Sequence, residues 1–228
     1  MADDVADPVG AALARIVVGH PGARVLDIGG GSGTRAVPLA QAGCTVLVVD
    51  SSTDALASLA RRAAEAQVAD RVSALQADAD QVDALLDPAS FDLVLHHHVV
   101  QDVDDPAGSL AAAAAVLRPG GTLSILVPGR LSAVLAETLA GRFAAASALL
   151  DAGPDQDRRY DEPSLRALLE QAGLAVQSVT GVGLVRALAG RVADGPALAD
   201  LEQALGRHPV LGQLGGDLHG LGIVPATS

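Results

Sequence analysis

Short apolar runs alternate with longer stretches in which apolar residues recur at helical spacing, and Gly, Pro, Asp or Ser marks most of the boundaries. The runs at 24–28, 44–49, 72–76, 90–95 and 122–127 are too short for helices and rich enough in Val, Leu and Ile to be buried strands. Helical spacing is predicted for 5–18, 34–42, 55–66, 107–117, 130–150, 163–172 and 197–205, and two further strands for 174–180 and 218–224. Pro38 implies a kink or a late start in the second of these helices. Pro163 near a first helical position and Gly173 just past the end bound the helix between them. Strictly alternating strands and helices over 25–127 predict right-handed crossovers and an α/β, doubly wound, mostly parallel sheet with helices on both faces. Its ligand belongs at the carboxyl ends of the strands.

The first strand runs directly into glycines, RVLDIGGGSGT over 24–34, so backbone there must approach something closely and free N–H groups face a helix start. A dinucleotide spacing G-x-G-x-x-G/A fails from Gly29, where Thr34 holds the last position, and passes from Gly31 with Gly33 and Ala36. Asp27 separates the readings, because a carboxylate there would repel a pyrophosphate and welcome a cationic ligand without phosphate. The D-x-G-x-G-x-G stretch, Asp27 with Gly29, Gly31 and Gly33, resembles the first motif of the class I, Rossmann-type S-adenosylmethionine-dependent methyltransferases. LRPGG at 117–121, between a helix and a strand, is a second mark of that family and is foreign to the nicotinamide dehydrogenases, the competing reading.

Asp50 ends the second strand seventeen residues after Gly33, where one carboxylate takes both ribose hydroxyls in Rossmann-like folds. Ser51 adjoins it as a further cofactor contact, and Ser52 or Asp54 caps the following helix. The resemblance implies that Asp78 accepts from an adenine amino group while the N–H of Ala79 meets a ring nitrogen, with Asp80 as a helix cap. It implies too that His96, His97 and His98, just after the FDLV strand, line the floor beneath the cofactor's methionine moiety and face the acceptor. His96 is placed on the cofactor side, and His97 is the expected general base or acceptor-positioning residue. Positions i and i+2 of an extended segment can share a metal, but no Cys or E-x-x-H partner lies near, and no metal is expected. Within the family the sequence is similar to the bacterial tRNA 5-carboxymethoxyuridine methyltransferase group, through Asp27 to Gly33, His97 with Val99, Leu117 to Ser124, and Tyr160 with Pro163. The resemblance implies an antiparallel last strand, completing seven, and a helical insertion after the fifth. The expected organisation is one domain over 1–228: a cofactor-binding core over 1–128, a helical insertion or cap over 129–172, and 173–228 completing the sheet.

Net charge is −12 and the basic residues are all Arg, fifteen of them, which disfavours a phosphate-backbone partner. Phe91, Phe143 and Tyr160 are the aromatic residues, so base stacking has little to work with. Cys44 alone cannot form an internal disulfide and reads as core filler. Residues 1–10 carry no basic segment followed by an apolar run, and no stretch approaches the roughly 20 apolar residues of a bilayer span. The expectation is a cytoplasmic protein, monomer or homodimer, whose short N-terminal segment leaves the cover of the ligand to other parts of the chain or a partner.

The expected function is methyl transfer from S-adenosylmethionine to an oxygen or nitrogen of a small molecule. Arg130, Arg142, Arg158 and Arg159, with Tyr160, would suit an anionic acceptor, since guanidinium grips carboxylate or phosphate in a two-point fork. His97 and Tyr160 are the catalytic candidates. The alternatives are methylation of a modified tRNA wobble uridine and a protein that holds the cofactor without chemistry.

Overall fold

A computed structural model describes residues 7–20, 22–190 and 195–226. In chain order the elements are α1 (Pro8–Val17), β1 (Arg24–Ile28), α2 (Ala36–Gln41), β2 (Thr45–Asp50), α3 (Thr53–Glu65), β3 (Val72–Gln76), α4 (Val82–Leu85), β4 (Phe91–His97), α5 (Pro106–Ala115) and β5 (Leu117–Pro128). There follow α6 (Arg130–Leu139), α7 (Phe143–Asp151), α8 (Pro154–Asp157), α9 (Glu162–Gln171), β6 (Ala175–Val182), α10 (Leu184–Ala189), α11 (Pro196–Arg207) and β7 (Asp217–Ile223). Single 3-10 turns precede α4 and β7.

The strands form one seven-stranded sheet in the order β3-β2-β1-β4-β5-β7-β6. β1 to β5 pair in parallel and β7 lies antiparallel between β5 and β6, as expected. Because β1 sits between β2 and β4, the strand order reverses there, and a crevice opens at the carboxyl ends of β1 and β4.

Alternation along the strands sends each sheet face into its own core. Leu26, Ile28 and Val94 pack with Leu110 of α5 and Leu165 and Leu169 of α9. Val25, Leu93 and Leu95 pack on the other face with Leu13 of α1, Leu39 of α2 and Leu59 of α3, and Cys44 is buried filler there. Leu26, Leu95 and Leu165 are fully buried, and a Leu or Ile shielded to that degree contributes about 1.5–3 kcal/mol.

Several boundaries differ from the sequence expectation for local reasons. α2 starts late, at Ala36, so Pro38 falls in its first turn, where its missing N–H costs nothing. β4 runs on through His97, and β5 begins at Leu117 with the LRPGG stretch inside it; a register shift opposite Phe91 and Leu93 and a positive φ at Gly120 take up the irregularity. The long helix predicted over 130–150 is two helices, broken at Gly141, whose φ of +74° is a left-handed conformation. α9 carries a reciprocal cap: Asp161 accepts from the Ser164 N–H at 3.0 Å, and the Ser164 hydroxyl accepts from the Asp161 N–H at 3.0 Å.

Candidate active site

A cleft of about 540 Å³ lies at the carboxyl ends of β1, β2, β3 and β4. Gly29, Asp50, Ser51, Asp78 and Ala79 line it, and all five were expected cofactor contacts. Val49, Ala77, Val99 and Val103 supply apolar wall, and Asp80, Gln81, His98, Asp102 and Asp104 complete it.

The glycine turn at its base is shaped by three distinct demands. Gly29 has φ +66°, and a Cβ there would lie 2.6 Å from Val99 Cγ2, so the turn meets the end of β4 without room for a side chain. At Gly31 (φ +54°) a Cβ would make only ordinary contact, with Asp50 Oδ2 at 3.8 Å, and the Gly31 N–H donates to Asp50 Oδ2 at 2.9 Å. At Gly33 (φ +82°) a Cβ would run into Leu59 Cδ1, so the absence of a side chain there serves the packing of the turn on α3.

Asp50 also accepts from the Ser52 N–H at 2.9 Å, so the two backbone donors fix the carboxylate at the mouth while lone pairs on both oxygens stay available. Ser52 is the cap of α3, accepting from the Ala55 N–H at 3.2 Å. Asp78, not Asp80, stands at the cap position of the 3-10 turn over 79–81, and Asp80 lies within that turn, facing the cleft.

Asp27 lies beneath the turn: a Cβ on Gly30 would come within 2.5 Å of its Cγ and Oδ2. It is 2 % exposed, and Oδ2 has no hydrogen-bond partner among the described residues. Burial pushes its pKa up to about 7, opposed by the Arg35 charge and reinforced by Asp50. A shielded carboxylate of this kind favours a cation.

The three consecutive histidines separate. His96 points into the α5 face, fully buried, with Nε2 2.9 Å from the Ser109 hydroxyl, and burial takes its pKa down to about 4. It is core, and its imidazole does not reach the cleft, which corrects its placement on the cofactor side. His97 projects to the opposite face. Its Nε2 lies 2.9 Å from Ser124 Oγ, which is 2.8 Å from His219 Nε2, and the two rings meet edge to face with centroids 6.1 Å apart. One hydroxyl proton serves only one ring, so the other must donate its own Nε2–H to Oγ. Burial, and then His219, holds the His97 pKa well below the usual imidazole range, and burial takes His219 down to about 4. His98 is the histidine that lines the cleft. Its φ of +54° turns the chain out of β4, and its Nε2 lies 3.5 Å from Asp217 Oδ2 at the start of β7.

Tyr160 is 3 % exposed in the α5–α9 core, across the sheet from His97, so the two catalytic candidates do not meet. It borders a separate cavity of about 440 Å³ with Asp105, Pro154 and Ser164. The insertion expected to fold over the cleft contributes no lining residue to it. Its arginines are engaged: Arg130 with Asp161, Arg142 with Glu137, and Arg159 with Asp157 at 2.6 Å. Arg158 donates to the Asp104 carbonyl at 3.1 Å and so braces the cleft's rim from outside. Among the described residues no group of three or more His, Cys, Asp or Glu is placed to hold a metal, and no helix is long and apolar enough to cross a membrane.

A family model described as a methyltransferase domain matches residues 26–125. The chain is 34% identical over 166 residues to the tRNA 5-carboxymethoxyuridine methyltransferase of Escherichia coli (strain K12), an alignment covering 70% of this chain and 62% of that protein's length. It is 33% identical over 168 residues to a ubiquinone biosynthesis O-methyltransferase of Xanthomonas campestris pv. campestris (strain B100), covering 72% of this chain and 68% of the relative. The solved 1,6-didemethyltoxoflavin-N1-methyltransferase of Burkholderia thailandensis, with bound 1,6-didemethyltoxoflavin and S-adenosylhomocysteine, superposes with a TM-score of 0.60 at 21% identity over 98% of this chain and 80% of that one. That last likeness is one of fold.

Proposed function

Because the chain belongs to the S-adenosylmethionine-dependent methyltransferases, we propose that it transfers a methyl group from S-adenosylmethionine to a small-molecule acceptor at the cleft over β1, β2 and β4. The observation that carries this reading is the pairing of two carboxylates with different work. Asp50, fixed by the Gly31 and Ser52 N–H groups, offers lone pairs to a ribose. Asp27, buried and short of a partner, suits an ammonium group. Val49, Val99 and Val103 supply the flat apolar wall an adenine needs, with Asp78 and Ala79 at its edge. The cofactor brings a methyl group on a cationic sulfur whose departure as a neutral thioether needs no acid. The protein's share is alignment and exclusion of water, worth as much as about 7–11 kcal/mol for well-oriented reactants.

The acceptor reading follows from charge. Asp50, Asp78, Asp80, Asp102 and Asp104 all border the cleft, in a chain of net charge −12, and the insertion's arginines are engaged elsewhere. An uncharged acceptor enters such a mouth more readily than a polyanion. The tRNA reading rests on shared motifs and 34% identity with the Escherichia coli relative, of whose length the chain spans 62%. Labelled S-adenosylmethionine offered with a deproteinised, nuclease-treated metabolite extract or with total tRNA separates the two. Label in the metabolites supports the reading, label in tRNA replaces the acceptor class, and label in neither with intact cofactor binding leaves a binding protein.

A further inference from the structure

We propose that His98 and Asp217 form a base pair of residues for the acceptor, with His98 as the catalytic residue that receives a hydroxyl proton and Asp217 as its positioning residue. This rests on the methyl-transfer reading and narrows its acceptor to one carrying an O–H, such as a phenol or enol.

His98 alone of the three consecutive histidines lines the cleft, and its ring is partly open to solvent, so a proton can reach it and leave it. Asp217 arrives from β7, the antiparallel strand beside β5, and places Oδ2 3.5 Å from His98 Nε2. That separation is long for a hydrogen bond, as it often is before ligands draw a site together. A carboxylate on Nε2 fixes the tautomer with the proton on Nε2 and leaves Nδ1 as the free base. The backbone supports the placement: a left-handed φ is uncommon outside glycine, and at His98 it redirects the side chain from the alternation that buries His96 and His97.

In the step, the acceptor's O–H proton passes to His98 Nδ1 as the oxygen's electron pair forms the bond to the methyl carbon. The carbon–sulfur pair returns to sulfur, which leaves as a neutral thioether. The imidazolium then surrenders its proton to solvent. An amine acceptor would not require the pair, because a neutral nitrogen attacks with its own lone pair and loses its proton afterwards.

The charges around His98 set the pH dependence. Asp217 from β7, its carboxylate 3.5 Å from Nε2, holds the imidazole's pKa above its ordinary value, Asp102 in the following loop adds to this, and burial and Arg35 at the start of α2 oppose it. Asp50, Asp78 and Asp104 face the same cleft. Since the base must be neutral, turnover should rise with pH through an inflection above 6.5, the ordinary imidazole value, and Asp217→Asn should move that inflection down.

The test uses the full chain. Asparagine tolerates left-handed backbone, so His98→Asn preserves the turn. With labelled S-adenosylmethionine and the metabolite extract as acceptor source, His98→Asn should lower turnover about 10²–10⁴-fold, the range for loss of a general base, while calorimetric affinity for the cofactor stays as in the parent. Asp217→Asn should shift the pH profile, and Asp217→Glu should restore it in part. Independently of turnover, two-bond nitrogen–proton NMR of the parent should place the His98 proton on Nε2, with a pKa that falls in Asp217→Asn. Full turnover in His98→Asn, or a His98 pKa unmoved by Asp217→Asn, overturns the pair while methyl transfer stands. Absence of methyl transfer in the parent overturns both.

Discussion

Asp27 gives the sharpest residue-scale consequences. Its folded pKa of about 7 lies above the ordinary 3.8, so its contribution to stability is fully present below about pH 4 and is lost as pH rises through 7. Asp27→Asn should therefore raise the melting temperature of the free protein at pH 8 and weaken cofactor binding in the same protein. Differential scanning calorimetry from pH 4 to 8 checks the first half: the gap between parent and variant should open with pH, and a gap that closes contradicts the burial argument. For Asp50→Ala we expect cofactor binding weaker by about 1.5–3 kcal/mol, the range for hydrogen bonds to a charged group. Unchanged affinity in the folded variant would mean the ribose is held elsewhere. Both carboxylates were legible in the sequence because backbone geometry places them, one under the glycine turn and one at a strand end. The histidines were not, because period-two alternation sends His96 and His97 to opposite faces, and the φ that brings His98 into the cleft has no marker in a run of identical residues. Tyr160 matched a motif whose spacing does not specify which side of the sheet it joins.

At the scale of elements, Gly33 and α9 make the testable cases. A Cβ at Gly33 meets Leu59 of α3 at a positive φ, so Gly33→Ala should destabilise the fold by about 1–3 kcal/mol through overpacking and backbone strain. The folded fraction should bind cofactor as before. Urea unfolding measures the first, calorimetry the second, and a stable variant would show that α3 gives way. Asp161 serves both the cap of α9 and Arg130. Asp161→Ala should cost more than the roughly 1 kcal/mol of a cap alone, because it also leaves Arg130 without its carboxylate. The seven strands were readable as apolar runs with turn signals, whereas the strand order, which reverses at β1, is set by long-range pairing that local pattern does not encode. The break at Gly141 was not readable either, since alanine-rich sequence on both sides continues the helical pattern and one glycine is compatible with either outcome. Where the insertion lies was beyond local pattern altogether: α6 packs on α7 and α10 instead of closing the cleft.

For the whole molecule, the acidic surroundings of the cleft and the net charge of −12 act on ligands of different charge. S-adenosylmethionine carries a net positive charge that its demethylated product lacks. Raising salt from about 0.02 M to 0.5 M shortens the screening length from roughly 20 Å to roughly 4 Å. It should therefore weaken binding of the methyl donor more than binding of the product. Equal salt dependence would remove the carboxylates from any role in telling the two apart. The central claim, that the cleft lined by Gly29 and Asp50, with Asp27 buried beneath the glycine turn, is the site of S-adenosylmethionine, is tested most directly by isothermal titration of the purified protein at pH 6.5 in two buffers of different ionisation enthalpy. One cofactor should bind per chain, with proton release as Asp27 ionises against the ammonium group, and Asp27→Asn should abolish the release. No binding at millimolar cofactor, or tighter binding of NADH, would contradict it.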